Sequence, residues 1–298
     1  MKILPSSNKL IKEMKDRSNR FVGFVKESSR RDKSIVFALS ILFLLIFCAI
    51  SADFVAPRPY WDQDLPKKLL PPSLEYPLGT DPLGRDVLSR IIYGARILLY
   101  SVSRVLLIST CIGLIMGLVS GYYGGIADLL IMRVVDLLLC FPHIILAFGM
   151  LAVLGVGLEN AITAASIYYI GPFARLTRGQ ALSTKELLYI DNARVIGCSD
   201  MRIIFRHILP NIVSPLIVQV TFNAAGAILL IGALGFIGLG AQPPTPDWGT
   251  MMYEARGYMN ISIYPLVFPG LAIFAAASSF NILGETLRDY WDIRERTL

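Results

Sequence analysis

The side chains able to do chemistry crowd into one stretch. Asp191–Asn211 reads DNARVIGCSDMRIIFRHILPN, placing Asp191, Asn192, Ala193, Arg194, Ser199, Asp200 and Arg202 around Gly197, with Glu186 and Tyr189 just before. Carboxylates and guanidiniums at this density form charge-assisted hydrogen bonds to a neighbour. They do not form a reaction centre, because no nucleophile is paired with a base. The chain has no Gly-Lys pair, hence no G-x-x-x-x-G-K-[ST] loop to cradle ATP. The glycines at 232, 235, 238 and 240 lack the soluble strand–helix setting of a dinucleotide fingerprint. Cys48, Cys111 and Cys140 fall in apolar runs and Cys198 in a loop, none at metal-ligand spacing. The chemistry on offer is therefore contact, with a partner or with lipid, rather than catalysis.

The elements that must hold this segment are greasy. Of 298 residues 54% are hydrophobic and only 17% charged, with mean hydropathy +0.58, whereas soluble domains are about one-quarter charged. A helix needs about 20 apolar residues to cross the hydrocarbon. Charge-poor runs predict an all-α integral membrane fold with six spans, near 34–53, 98–120, 134–155, 159–177, 212–234 and 264–285. The first run is too long, and its cationic leader too extended, for a cleaved signal peptide. Around the spans lie a cytoplasmic arm over 1–33, a proline-rich extracytoplasmic loop over 54–96, a core over 97–288 containing the loop 183–210, and a tail over 289–298.

Residues 1–33 hold ten Lys/Arg against four Asp/Glu, 175–210 six against three, and 53–93 five against six. Cytoplasmic segments carry the basic excess, so both termini and 175–210 are expected inside. The net charge of +6 is thereby accounted for by topology and implies no nucleic acid partner.

Within this frame Ser183 and Glu186 fit a capping box opening a helix to about Ile196. Gly197 suits a left-handed stop. Ser199 and Asp200 suit the start of a second helix ending or kinking before Pro210. The two arms read either as an amphipathic element on the inner leaflet or as a compact knob filling a partner's cleft; the glycine corner and mixed polar face suit the knob. Gly113, Gly117 and Gly121, every fourth residue of the second span, allow a helix to approach closely. Arg133 and Asp136 are spaced to pair on one helix face. Pro142, beside His143, and Pro172 predict kinks, and His143 serves either a site or a freed carbonyl. Asp81, Arg85 and Asp86 in TDPLGRD, with Asp247 and Trp248 in QPPTPDWG, face outside, where they meet a partner or tie loops together.

The run DNARVIG followed by Leu209-Pro210 resembles the Glu-Ala-Ala loop of permease subunits of binding-protein-dependent ABC importers. PLGTDPLGRDVLSRIIYGAR (77–96), GYYGGIADLLIMRVVDLLLCFP (121–142), GLGAQPPTPDWGTMMYEAR (238–256) and LGETLRDYWD (283–292) are similar to the C-type permeases of the peptide/nickel group. The resemblance implies a multi-pass subunit of a prokaryotic cytoplasmic (inner) membrane, set in lipid. Its partners would be a homologous B-type permease, two ATP-binding subunits holding ATP and magnesium, and an extracytoplasmic solute-binding protein. In that family the loop docks on an ATPase subunit. Asp191 stands where Glu is usual, and Asn192 and Ala193 where two alanines are. Members serve dipeptides, oligopeptides, glutathione, nickel complexes or oligosaccharides. The competing classes are an intramembrane enzyme, which needs paired acid, His or Ser groups at one depth, and a lone secondary transporter, which usually shows repeated halves.

Overall fold

The computed structural model describes residues 33–295, with side chains as far as Trp291. The expected arm over 1–33 lies outside the described residues but for Lys33, as does the very end of the tail. Among the described residues the regular structure is helical, with one isolated bridge between Thr80 and Asp86.

Helix α1 (Lys33–Val55) is apolar on every side and buries only a narrow stripe. Helix α2 (Val87–Tyr123) begins earlier than the hydropathy run: the Asp86 carboxylate accepts the Ser89 amide and caps it. The outer loop is correspondingly shorter than expected. Gly124, at φ 70°, turns the chain into α3 (Gly125–Cys140). The expected third span is not one straight helix. It breaks at Phe141-Pro142 and continues as α4 (His143–Leu154) at 95° to α3, since proline cannot donate to the preceding turn.

Helix α5 (Leu158–Lys185) carries Pro172 inside it. It overruns the expected capping box: Ser183 stands within its last turn and donates back to the Gln180 carbonyl at 3.1 Å. The cause is packing, since Ala181 and Thr184 are buried and hold that turn helical. The docking segment follows as α6 (Leu188–Val195) and α7 (Asp200–Ile203). A π turn over Ile204–Ile208 leads into α8 (Leu209–Ile237). The helix therefore does not end before Pro210. Leu209 bonds the Ile204 carbonyl in the widened turn, and Pro210 sits in the first turn of α8, where a missing N–H costs least. Helices α9 (Trp248–Ala255) and α10 (Tyr264–Glu295) complete the chain.

By length and composition α1, α2, the continuous 200–237 helix and α10 can cross a membrane, and the bent α3–α4 pair adds a fifth candidate. Three apolar clusters hold the bundle together. One joins α1, α2, α8, α9 and α10 around Trp248 and Ile228. A second joins α2, α4, α5 and α8 around Leu151 and Tyr169. The third seats α6 and α7 against α2, α5 and α8.

The most extensive packing is between α2 and α5. There Gly113, Gly117 and Gly121 face α5 in succession. A Cβ at Gly117 would lie 2.4 Å from the Thr177 Cβ, and one at Gly121 2.7 Å from the Ala181 Cβ. The two backbones thus meet at a distance only glycine allows. Asp136 does not pair with Arg133. Its carboxylate accepts from Arg175 of α5 at 2.5 Å, because α5 lies closer than the next turn of α3.

Candidate functional site

Helix α6 ends in a double hydrogen-bonded cap: the Gly197 amide donates to Arg194 O at 2.9 Å and the Cys198 amide to Ala193 O at 3.0 Å. Gly197 takes φ 79°, a conformation that L side chains occupy only with strain. A Cβ there would meet nothing within 4 Å, so the constraint is the backbone itself. Ser199 occupies the N-cap position of α7 by its backbone, but its hydroxyl makes no capping bond.

The element has two faces. Ile190, Ala193, Ile203, Ile204 and Ile208 are buried against Leu118, Tyr122, Phe173 and Ile212. Leu188 (81% exposed), Val195 (86%), Ile196 (78%), Met201 and Phe205 point away. These side chains leave the outer side of the element apolar. Glu186, Asp191, Asn192, Arg194, Asp200 and Arg202 are exposed around it, and Arg194 bonds Asp191 at 2.9 Å.

Sequence reasoning missed what fastens the knob to the bundle. The phenol of Tyr122, at the end of α2, donates to Asp200 Oδ1 at 2.7 Å. Lys185 Nζ donates to the Tyr122 carbonyl at 2.5 Å, and Arg194 lies 5.9 Å from the Tyr122 ring centroid. From the other arm, Asn211 Nδ2 donates to the Tyr189 hydroxyl at 3.0 Å. Beside them Arg178 grips Asp128 with two bonds, 2.5 and 2.6 Å, and Ser120 donates to the same carboxylate. In sequence a tyrosine closing an apolar run reads only as an interfacial residue, so nothing singled out Tyr122.

The residues expected to face outside are buried instead. Asp81, Arg85, Asp86, Asp247 and Trp248 are each at most 5% exposed, which leaves these side chains no surface for a partner. Arg85 bonds Asp81 at 2.6 Å and Glu254 of α9 at 2.8 Å; Arg90 bonds the same two carboxylates. Asp247 caps α9 by accepting the Thr250 amide, and burial pushes its carboxyl above the usual range. Trp248 Nε1 donates to Ile91 O at 3.1 Å. These charges tie loops together, because paired carboxylates and guanidiniums tolerate burial where lone ones do not. His143 is exposed at the α3–α4 break, its ring 5.5 Å from Tyr168. Among the described residues no group of His, Cys, Asp and Glu could hold a metal ion.

A helical bundle with several helices long and apolar enough to cross a membrane, and with its buried charges paired internally, has the build of a membrane subunit. The chain belongs to the family described as the binding-protein-dependent transport system inner membrane component, whose model matches residues 110–297. A second model, the N-terminal transmembrane domain of oligopeptide transport permease C, matches residues 29–72. The chain is 40% identical over 262 residues to the dipeptide transport system permease protein DppC of Haemophilus influenzae, covering 85% of this chain and 89% of that one. It is 44% identical over 256 residues to the glutathione transport system permease protein GsiD of Pectobacterium atrosepticum, with 84% of each covered. Identity to the Escherichia coli GsiD is 46% over 266 residues, covering 88% and 87%. A chain of the inward-facing MetNI methionine ABC transporter has the same fold, with TM-score 0.54 at 20% identity over 67% of this chain and 95% of its own. The protein is thus an ABC importer permease of the peptide/nickel type and not itself an enzyme; ATP hydrolysis belongs to separate ATPase subunits. Its family implies a partner permease, ATPase subunits and a binding protein.

Proposed function

We propose that this subunit forms half of the translocation path for a di- or oligopeptide delivered by an extracytoplasmic binding protein. It pairs with a B-type permease in a prokaryotic inner membrane. In this reading six spans cross the bilayer, α5 among them, with both termini and the knob in the cytoplasm. The knob docks into a cleft on one of two ATP-binding subunits, which hold ATP and magnesium. Leu188, Val195, Ile196, Met201 and Phe205 supply its apolar contact, and Glu186, Tyr189, Asp191, Asn192, Arg194, Asp200 and Arg202 its polar rim. The observation that carries the reading is the pairing of a bare apolar cap with a buried isoleucine base. A gate moved from about 1:99 to 99:1 needs roughly 5.5 kcal/mol of differential binding, and only a lever fixed to the spans passes on such a displacement. Glutathione is the second reading, favoured by the two glutathione permeases the chain resembles. It is itself a short peptide.

The test is Gly197→Val. A β-branched residue at φ 79° costs roughly 1–3 kcal/mol, enough to open the corner while the spans stay inserted. Membrane levels should be unchanged and ATP-driven uptake of dipeptide lost. Unimpaired uptake would remove the knob from the mechanism.

A further inference from the structure

The break between α3 and α4 leaves irregular backbone on the surface of this chain. Phe141 is 52% exposed, and Pro142 and His143 are exposed beside it. Depth can be read from the neighbouring helix. Tyr168, whose ring lies 5.5 Å from that of His143 at a tilt of 46°, is about 15 Å along α5 from Leu158 at 1.5 Å per residue, half of a hydrocarbon core of about 30 Å.

Exposed non-helical backbone at that depth cannot face lipid, because the closing carbonyls of α3 have no helical donors. No inter-element bond satisfies those of Leu137–Cys140 among the described residues. The imidazole does not rescue them; its contact is the Tyr168 ring. Such backbone is tolerated only where a neighbouring subunit buries it or where it lines water; no element of this chain covers it, and the labelling below decides between the two. What it offers there is a set of acceptors: the carbonyls with the negative end of the α3 dipole, an imidazole nitrogen and a phenol oxygen. Alongside runs a trough of about 500 Å³ on α4, lined by Phe141, Ile145, Gly149, Met150 and Val153.

We propose that this elbow is where the solute meets the subunit midway through the membrane. The acceptors around His143 and Tyr168 receive the ammonium group of a short peptide, and the trough takes its adjoining apolar side chain. The assignment rests on the importer reading above, and its test separates the two.

The complete assembly, with partner permease and ATPases, is reconstituted in nanodiscs with Cys140 as its only thiol in this chain. Cys140 is exposed beside the break. It is reacted with membrane-impermeant methanethiosulfonates bearing either a trimethylammonium or a sulfonate group. A cysteine-free version carrying Phe43→Cys, on the exposed side of α1 (72%), is the lipid-facing control. Cys140 should react at least roughly ten-fold faster than the control, because thiolate attack needs water. It should also favour the cationic reagent beyond the reagents' intrinsic ratio, since an acceptor-lined site concentrates cations. Labelling no faster than at position 43 overturns the aqueous elbow, and a preference for the anionic reagent overturns the ammonium assignment. In proteoliposomes with the binding protein, His143→Ala should lower maximal dipeptide uptake roughly ten-fold at equal amounts of assembled complex, and His143→Gln, which keeps a hydrogen-bonding side chain, should restore part of it. Full uptake by His143→Ala refutes a solute contact. An unmodified assembly that moves no dipeptide refutes the peptide reading, while the labelling rates still decide the elbow.

Discussion

Tyr122 joins the docking element to a long helix through one hydroxyl, 2.7 Å from Asp200. Tyr122→Phe keeps the buried ring and removes that bond, worth about 1 kcal/mol. The variant should fold and insert normally yet hydrolyse more ATP per peptide imported, measured as the ratio of the two rates in proteoliposomes; an unchanged ratio would make the bond mere trim. Asp128 is held in a comparable way, by the two bonds from Arg178. Neither residue stands out in the sequence, because each acts through a partner distant along the chain: Asp200 for Tyr122, Arg178 for Asp128.

At the scale of elements, regular patterns were legible and interruptions were legible only in part. The glycine period at 113, 117 and 121 and the positive-φ stop at 197 declare themselves, since a missing Cβ has few purposes. The length of α5 was misread because a capping box is a local preference, and the burial of Ala181 and Thr184 outweighs it. Of the two outcomes expected before Pro210, an end or a kink, the end is excluded: a π turn over Ile204–Ile208 carries the helix on. The α2–α5 seam yields a quantitative expectation. Gly117→Val would put a branched side chain where even a Cβ stands 2.4 Å from Thr177. Overpacking costs about 1–3 kcal/mol, occasionally more. The variant should lower the melting temperature of the assembly and the amount recovered at equal expression, whereas Gly179→Ala, with open space around it, should do neither. Wild-type stability in Gly117→Val would mean the helices part more readily than their fit implies.

For the whole molecule, the apolar runs located four helices long and apolar enough to cross a membrane and the bent α3–α4 pair, and Lys/Arg placement predicts which side each loop occupies. Arg85, buried at 1% exposure, is unsuited to reporting that side, but Leu74 in the same loop is fully exposed. Leu74→Cys and Met201→Cys should react with an impermeant reagent from opposite faces of sealed vesicles; reaction from one face would overturn the topology. What composition could not convey is the reach of the outer charges. Arg85 and Arg90 share Asp81 with each other and Glu254 with a helix more than 160 residues onward. While the chain is being made, both guanidiniums must wait on a single nearby carboxylate until ribosomes have passed position 254. A chain lacking Glu254 would leave both guanidiniums to Asp81 alone, so the charge of the first loop is settled by a residue of the last third of the sequence.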